Sequence, residues 1–358
     1  MMIKRFRRTI FFLVLLAFAL SACSGAYAHS SGWPGLSVQD TTAYLSYNNG
    51  VYAVDIEKGQ VLWQFPEEAS RDQTFYAAPV LTPDGKQLLV GSYDHKLYSL
   101  DPASGQLLWD FKEAKSYYIG APLATEAAIY APNADGVLYA LSLDGQRRWT
   151  FHSDRALWAT PATDGQRLYL PAMDHRLYAL NPDDGQVLWQ TDLGGAMVSA
   201  PALAKGVLYL GTFADKVVAV RAEDGQPLWE ASTRGWVWST PAYAQGRLFF
   251  GDVEGAFYAL DARDGSLLWS IQPDGPIVDT AAVDQGTVYF TTEQGTLYAV
   301  SAEDGTVRWT YNAGATLQTG PVLTPGGIVL IAPTDGSDLL QALNAADGQP
   351  RWAIQPAK

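Results

Sequence analysis

A phrase of fourteen residues recurs along the chain, and this repeat constrains the possible folds more than any other feature. Residues 177–190 read LYALNPDDGQVLWQ, and close copies read FYALDARDGSLLWS, LYAVSAEDGTVRWT and LYSLDPASGQLLWD. Each copy carries a tryptophan four residues after a glycine. The tryptophans are Trp63, Trp109, Trp149, Trp189, Trp229, Trp269, Trp309 and Trp352.

The spacing of these tryptophans predicts the fold. Five consecutive intervals, from Trp109 to Trp309, are each 40 residues long, and the outer two are 46 and 43. A fixed period of this size is typical of propellers and solenoids. Within 239–270 the unit holds four short apolar stretches, TPAYA, RLFFG, AFYALD and SLLWS, separated by glycine-containing breaks that suit antiparallel hairpins. With no sustained helical period, the sequence predicts an all-β, eight-bladed β-propeller of four-stranded antiparallel blades over 33–358.

The repeated phrase itself is interpreted as scaffold. Alternation in LYAL sends Leu177 and Ala179 to one face of a strand and Tyr178 and Leu180 to the other, so both faces are apolar. The small residue at the third position leaves room for a bulky side chain, which we predict to be the tryptophan of an adjacent blade. The DG step supplies the positive-φ residue of a hairpin turn. The eight tryptophans are therefore interpreted as equivalent positions that dock neighbouring blades, which is more plausible than eight separate ligand-binding platforms.

Each predicted blade has its own first strand. The first covers 33–38, in the least repeat-like stretch, WPGLSV, and the others begin near Ala78, Ala121, Thr160, Ala200, Thr240, Thr280 and Gly320. Because every blade has a complete set of strands, we expect blade 8 to pack on blade 1 without borrowing a strand.

The N-terminus predicts export. A basic head precedes an apolar run at 10–20 that is too short to span a bilayer, which is typical of a secretory signal. It ends in LSAC, which resembles the lipobox of bacterial lipoproteins, a family cut before the cysteine and lipidated on it. The prediction is a signal peptide at 1–22, lipidation at Cys23 and a short tether at 23–32. An ordinary signal cleaved after AYA is the alternative. Cys23 is the only cysteine, so a disulfide cannot form.

The phrases LYALNPDDGQVLW and LYAVSAEDGTVRW resemble the tryptophan-docking motif of pyrroloquinoline-quinone (PQQ)-like propeller repeats, over about 33–352. With the lipobox, the chain is most similar to BamB-like lipoproteins. That resemblance implies a non-enzymatic scaffold that binds envelope proteins, in the form of outer-membrane β-barrel assembly. It also implies a lipid anchor on the periplasmic face of the outer membrane, or on the cell surface of a single-membrane bacterium. The regular 40-residue blades leave no elongated partner-binding loop to carry over.

The charge balance argues against nucleic acid as a partner. Four of the 24 Lys and Arg residues lie in the first eight positions, leaving 20 against 37 Asp and Glu residues in the rest of the chain. Such a surface repels phosphate backbones.

Nothing in the sequence supports catalysis, a cofactor or a metal. Quinoprotein dehydrogenases with this repeat use an adjacent cysteine pair, which cannot exist here. The aspartates of NPDDG and SAEDG lack calcium-loop spacing and are interpreted as turn formers. His95 and His175 fall at equivalent hairpin turns, where exposed turn residues are more common than metal ligands. A PQQ-dependent dehydrogenase therefore remains the weakest alternative.

The segment that leads into each first strand varies between copies, and this variation marks the candidate site. These lead-in segments should meet at one mouth of the central channel, where aromatic and charged side chains suit a peptide- or ligand-binding surface. The alternative role of these side chains is to fill the tapering channel. The alternative function of the protein is that of a ligand- or glycan-binding sensor. The candidate residues are Tyr76, Tyr117, Tyr118, Arg155, Trp158, Arg234, Trp236, Trp238, Asp279 and Gln318.

Overall fold

The computed structural model describes residues 33–68 and 73–356. The predicted signal peptide, the lipidation site at Cys23 and the tether lie outside these described residues. Within them the regular structure is entirely β, so no helix of the described part could cross a membrane.

Thirty-two strands form eight four-stranded sheets, and in each sheet the strands follow chain order and pair antiparallel. Blades 1 to 4 consist of β1 (Gly35–Gln39), β2 (Thr42–Tyr47), β3 (Gly50–Asp55), β4 (Gln60–Phe65); β5 (Val80–Leu81), β6 (Leu88–Gly91), β7 (Leu97–Leu100), β8 (Leu107–Phe111); β9 (Leu123–Ala124), β10 (Ile129–Pro132), β11 (Val137–Leu141), β12 (Arg147–His152); β13 (Ala162–Thr163), β14 (Leu168–Pro171), β15 (Arg176–Leu180) and β16 (Val187–Asp192).

Blades 5 to 8 repeat the arrangement. They consist of β17 (Ala202–Ala204), β18 (Val207–Thr212), β19 (Lys216–Arg221), β20 (Pro227–Ser232); β21 (Ala242–Ala244), β22 (Arg247–Gly251), β23 (Phe257–Asp261), β24 (Leu267–Ile271); β25 (Ala282–Asp284), β26 (Thr287–Thr291), β27 (Thr296–Ser301), β28 (Val307–Asn312); β29 (Val322–Leu323), β30 (Ile328–Ile331), β31 (Leu340–Asn344) and β32 (Pro350–Ile354). The predicted eight-bladed propeller is confirmed.

The first strand of each blade lies innermost, and the first strands of blades 7, 8 and 1 adjoin one another in turn. In blades 2 to 8 these strands are only two or three residues long and begin two residues later than predicted. The lead-in segments therefore reach the centre of the molecule as extended chain outside the sheets. This arrangement leaves their side chains available to line the channel.

The third strands pack two neighbouring blades at once. Leu177 and Ala179 lie in the apolar cluster shared with blade 5, whereas Tyr178 and Leu180 lie in the cluster shared with blade 3. The alternation predicted from LYAL is thus confirmed. All four side chains are buried, as a strand between two blades requires.

Each repeat tryptophan lies opposite the small third-position residue of its own blade, as Trp189 lies opposite Ala179. The prediction that a neighbouring blade's tryptophan fills this space is wrong, because the indole projects forward onto the next blade. There Trp149 packs on the turn glycine, Gly185. In seven blades the indole Nε1 donates to a carbonyl of that turn over 2.9–3.3 Å: Trp63 to Pro102, Trp149 to Pro182, Trp189 to Ala222, Trp229 to Ala262, Trp269 to Ala302, Trp309 to Ala345 and Trp352 to Ile56.

The exception is Trp109, whose neighbour, blade 3, has a turn one residue shorter, SLDG in place of NPDDG. Here Gln87 bridges the gap. Its Oε1 accepts the indole N–H of Trp109 over 2.8 Å, and its Nε2 donates to Leu143 O over 2.9 Å. The hydroxyl of Ser99, which replaces the usual alanine, donates to the same Oε1 over 2.7 Å.

The ring closes between blades 8 and 1 as it does elsewhere. Leu36 and Leu45 of blade 1 share one buried cluster with Leu330 and Leu340 of blade 8. Trp352 completes the junction through its hydrogen bond to Ile56 O. Since both sheets contain only their own four consecutive strands, the predicted closure without a borrowed strand is confirmed.

Candidate functional site

The lead-in segments of all eight blades converge on one central cavity of about 460 Å³. Each blade contributes the residue two positions before the equivalent of Thr160, so the eight residues form a ring around the channel. Four of the eight are aromatic, which concentrates flat apolar surface at the centre. The ring consists of Trp33, Tyr76, Ile119, Trp158, Val198, Trp238, Val278 and Gln318.

The structure brings half of the predicted candidate residues into this cavity. Those lining it are Tyr76, Trp158, Trp238, Asp279 and Gln318. Tyr117 and Trp236 lie two positions earlier in their lead-in segments and contribute to the surrounding face instead. Arg155 and Arg234 are exposed and outside the lining, and the guanidinium of Arg234 donates to Gln272 Oε1 over 2.5 Å.

Tyr118 requires a correction, because it does not lie at the mouth. Its side chain is fully buried between blades 2 and 3, packed over Gly91. Successive residues of an extended segment point to opposite sides. Tyr117 and Ile119 therefore face the surface and the channel, while Tyr118 enters the core. The equivalent Leu157, Val237 and Ile277 are buried for the same reason.

A continuous row of contacting rings, which we call the tryptophan row, runs from the cavity onto the surrounding face. It consists of Trp33, Trp238, Phe213 and Trp236. The centroids of Trp33 and Trp238 are 5.0 Å apart with planes tilted by 48°. Phe213 stacks on Trp238 at 5.2 Å and on Trp236 at 4.8 Å. Trp236 ends the row with 47% of its surface exposed.

A second row, the tyrosine row, lies on the same face at blades 2 and 3. Tyr93 contacts Tyr76 at 4.3 Å with the planes tilted by 33°, and it stacks on Tyr117 at 4.5 Å with the planes within 13° of parallel. Its position is fixed by the hydrogen bond from Tyr93 N–H to Thr74 O over 2.8 Å. Burial among these rings raises the pKa of the Tyr93 hydroxyl well above its usual range.

The comparison of lead-in segments missed three of these aromatic residues. Tyr93 and Phe213 occupy equivalent tips of the hairpins between second and third strands, at GSY and GTF. Other blades carry Ala134, Met173 or Val253 there, so an alignment of the hairpin tips would have found them. The sequence predicts Trp33 in the first strand, but the residue precedes β1 and lies across the channel against Trp238.

Asp279 is the only charged residue among the described residues that line the cavity. Its two carboxylate oxygens accept the N–H groups of Thr280 and Gly320, each over 2.7 Å. Burial raises the pKa of this carboxyl, and the two backbone donors partly oppose the rise because they favour the ionised form. The equivalent position in other blades holds a small or neutral residue, such as Ala159, Ser199 or Ser239.

Metal-binding geometry is absent from the part of the chain that the structure describes. No group of three or more His, Cys, Asp and Glu side chains there is placed to hold an ion. His95 and His175 occupy hairpin tips with φ of 68° and 74°, a backbone conformation that Gly136, Gly255 and Gly295 adopt in blades 3, 6 and 7 and Asp215 in blade 5.

Comparisons with known proteins agree with this architecture. The profile of the family described as outer membrane protein assembly factor BamB matches residues 47–200, 134–235, 173–280 and 273–358. Among curated proteins, none matches this sequence significantly.

Two solved structures resemble the fold at low sequence identity. The computationally designed Ika8 protein superposes with a TM-score of 0.74 at 16% identity, covering 86% of this chain and 94% of its own. BamB from Moraxella catarrhalis superposes with a TM-score of 0.70 at 17% identity, covering 86% of this chain and 92% of its own. Identities this low support the shared fold alone.

Proposed function

Because this chain belongs to the family of the outer membrane protein assembly factor BamB, we propose that it is a non-enzymatic scaffold that binds other proteins of the bacterial envelope. In its most specific form, the proposal is that it assists the assembly of outer-membrane β-barrel proteins. The family membership supports the class of protein. The choice of binding surface comes from this chain's own residues.

The observation that carries the proposal is the pair of aromatic rows on one face. Trp and Tyr are enriched among residues that dominate protein–protein binding energy, because they bury large rigid surfaces at low entropic cost. Stacking on Phe213 and Tyr93 holds Trp236 and Tyr117 in fixed orientations before any partner binds. Such preorganisation lowers the entropic cost of association.

The location is proposed from the N-terminal sequence. Removal of the signal peptide at 1–22 would leave Cys23 to carry lipid, with 23–32 as the tether and 33–358 as the propeller. In a bacterium with two membranes, this places the protein on the periplasmic face of the outer membrane. In one with a single membrane, the same anchor places it on the cell surface.

The chemistry of the cavity supports the non-enzymatic part of the proposal. Pyrroloquinoline quinone carries three carboxylates, and binding it away from water requires cationic partners. The described residues that line the cavity include Asp279 and no Lys, Arg or His. The residues present therefore do not fit PQQ.

The test is affinity purification of the tagged, full-length protein from gently solubilised native membranes, with mass spectrometry of the co-purifying proteins. We expect an envelope protein to be recovered. The more specific proposal predicts that this protein is the core component of the barrel-assembly machinery. Trp236→Ala and Tyr117→Ala together should reduce its recovery by at least about tenfold, since each residue is a rigid, partly exposed anchor.

Leu267→Ala is the matched control. Leu267 is also an exposed apolar residue, with 58% of its surface accessible, but it lies on the outermost strand of blade 6. It should leave recovery unchanged. Equal loss in the control would indicate nonspecific adhesion, and a preparation without envelope proteins would contradict the scaffold proposal.

One observation favours a second candidate function, the capture of a small ligand. The central cavity is within the size range of small-molecule sites and is lined by several aromatic rings and a few polar groups.

A further inference from the structure

A second cavity, of about 500 Å³, lies between blades 5 and 6. Its lining includes the turns between first and second strands of both blades and the turn between third and fourth strands of blade 6. In an antiparallel blade these turns lie at the end opposite to the lead-in segments. The second cavity is therefore on the face opposite to the aromatic rows, and it shares no lining residue with the central channel.

The apolar walls of the second cavity are open to solvent. Leu228 and Leu268, on the outermost strands of blades 5 and 6, line it with 42% and 43% of their surfaces exposed. Tyr243, also in the lining, stacks on Tyr209 with the ring centroids 6.0 Å apart and the planes within 14° of parallel. Exposed apolar side chains around a concave surface favour a ligand with an apolar body.

The charged side chains in the lining are mainly positive. They are Lys205, Arg247 and Arg263 against a single acid, Asp261. Arg263 engages that acid, with its Nη2 2.6 Å from the Oδ2 of Asp261. Arg247 donates to Ala302 O over 2.6 Å and has no carboxylate within ion-pair distance among the described residues. Lys205 is exposed and forms no ion pair with any of them. Two of the three cations are thus left without an acidic partner.

Two of these cations depart from the repeat, and this departure distinguishes the junction of blades 5 and 6 from the others. Lys205 is replaced in blades 6 and 7 by Gln245 and Gln285, which share its positive φ. The position of Arg263 is acidic or alanine in the other blades with a turn of the same length: Glu57, Ala103, Asp183, Glu223, Glu303 and Ala346. Positive charge therefore gathers here, although the whole chain has a net charge of −13. Residues that differ between copies are available for recognition.

We propose that the second cavity binds a small anionic amphiphile, a hydrocarbon chain that carries one carboxylate. The hydrocarbon chain lies against Leu228, Leu268 and the ring of Tyr243. The carboxylate is attracted by the ammonium of Lys205 and by the N–H groups of Arg263 that Asp261 does not use. Burial of the chain supplies most of the affinity, and the charges select the anion.

The combination of apolar walls and positive charge distinguishes this ligand from other classes. An organic cation would be repelled by the excess positive charge. Inorganic phosphate or a sugar would leave the apolar surfaces of Leu228 and Leu268 uncovered. The site is independent of the proposed protein-binding surface, because it lies on the opposite face of the propeller.

Calorimetric titration of the purified full-length protein with octanoate tests the proposal. Octanamide is the neutral counterpart of octanoate, and acetate carries the same charge without the chain. The same detergent is used for every ligand and every variant. We expect saturable binding of octanoate, with octanamide and acetate each binding at least about tenfold more weakly.

Substitutions that the repeat itself carries locate the site without endangering the fold. Lys205→Gln introduces the side chain that blades 6 and 7 have at this turn, and Arg263→Glu introduces that of blades 5 and 7. Together they should weaken octanoate binding at least about tenfold and leave octanamide unaffected. Leu228→Ala should weaken both ligands alike. Lys86→Gln is the matched control, because Lys86 is an exposed lysine in the first hairpin of blade 2, outside the cavity lining.

Four results would overturn the proposal. They are the absence of saturable octanoate binding, equal affinity for octanoate and octanamide, equal affinity for octanoate and acetate, and octanoate binding that the double variant leaves unchanged. None of them bears on the scaffold proposal, which the recovery of envelope proteins tests on the other face.

Discussion

At the scale of single residues, the turn glycine of each blade meets two structural requirements at the same position. Gly185 has φ of +74°, and a Cβ added there would lie 2.5 Å from the indole of Trp149. The positive φ disfavours any larger residue through its own backbone. The indole of Trp149 also excludes a larger residue, because an added Cβ would clash with the ring. Gly165, in a hairpin of blade 4, has φ of +86° but nothing within 4 Å of an added Cβ.

This pair of glycines separates the two requirements experimentally. We expect Gly165→Ala to cost about 1–2 kcal/mol of unfolding free energy through backbone conformation alone. Gly185→Ala should cost about 2–4 kcal/mol, because Trp149 must also move. Urea unfolding of the two variants measures the difference. Equal losses would show that the indole gives way freely and that only the backbone requires glycine.

The docking residues could be predicted because each recurs eight times, and a recurring pair of glycine and tryptophan indicates a shared structural role. Tyr118 could not be placed in the same way. Its neighbour Tyr117 has the same side chain, so the local sequence alone does not show which of the two points inward, although the equivalent position is apolar in the other lead-in segments. The burial of Leu157 and Ile277 at the equivalent position decides it, but only once the extended lead-in path is known.

At the scale of structural elements, blade 3 shows how a shortened turn is compensated by residues outside it. Loss of one residue from the turn removes the usual carbonyl acceptor of Trp109. Gln87 on the preceding blade replaces it by accepting from Trp109 and donating to Leu143. The departure of Ser99 from alanine was visible in the sequence. Its partner Gln87 was not, because it lies outside the repeated phrase.

This bridge predicts a large effect from one substitution. Gln87→Leu fills similar space but leaves the indole N–H of Trp109 and the carbonyl of Leu143 unpaired, so we expect a loss of about 2–4 kcal/mol in unfolding free energy. Gln146→Leu, at an exposed turn position of blade 3, should change it by less than about 0.5 kcal/mol. Chemical denaturation of both variants is the measurement. A loss below about 1 kcal/mol for Gln87→Leu would mean that water replaces the amide.

At the scale of the whole molecule, the ring has one junction that the chain does not cross. Blades 4 and 5 are joined by residues 193–201 as well as by the docking of Trp189. Blades 8 and 1 are held only by noncovalent contacts, which include Trp352 with Ile56 and the shared cluster around Leu36 and Leu330. A peptide link keeps two surfaces at high effective concentration even when their contact weakens. Closure therefore depends on Trp352 more than other junctions depend on their own tryptophans.

The eight-bladed ring and its closure were predictable from sequence, because each 40-residue unit contains four strands and one docking pair. The candidate site was predictable only in part. Lead-in segments could be compared between copies, which found Trp158 and Trp238. The approach of Trp33 to Trp238 across the channel is a property of the closed ring, since these residues belong to blades that are distant in sequence and not adjacent in space.

The difference between junctions can be measured by comparing Trp352→Ala with Trp189→Ala. Each removes one half-buried indole and its hydrogen bond, which should cost roughly 3 kcal/mol at a junction that the chain also crosses. We expect Trp352→Ala to cost more, because blades 1 and 8 then separate without a link to limit them.

Hydrogen exchange should accelerate in β1, β2 and β31 of that variant while blades 4 and 5 remain protected. In Trp189→Ala the faster exchange should stay confined to the junction of blades 4 and 5. If both variants lost the same stability and neither opened at blade 1, the buried cluster around Leu36 and Leu330 alone would suffice to hold the ring closed.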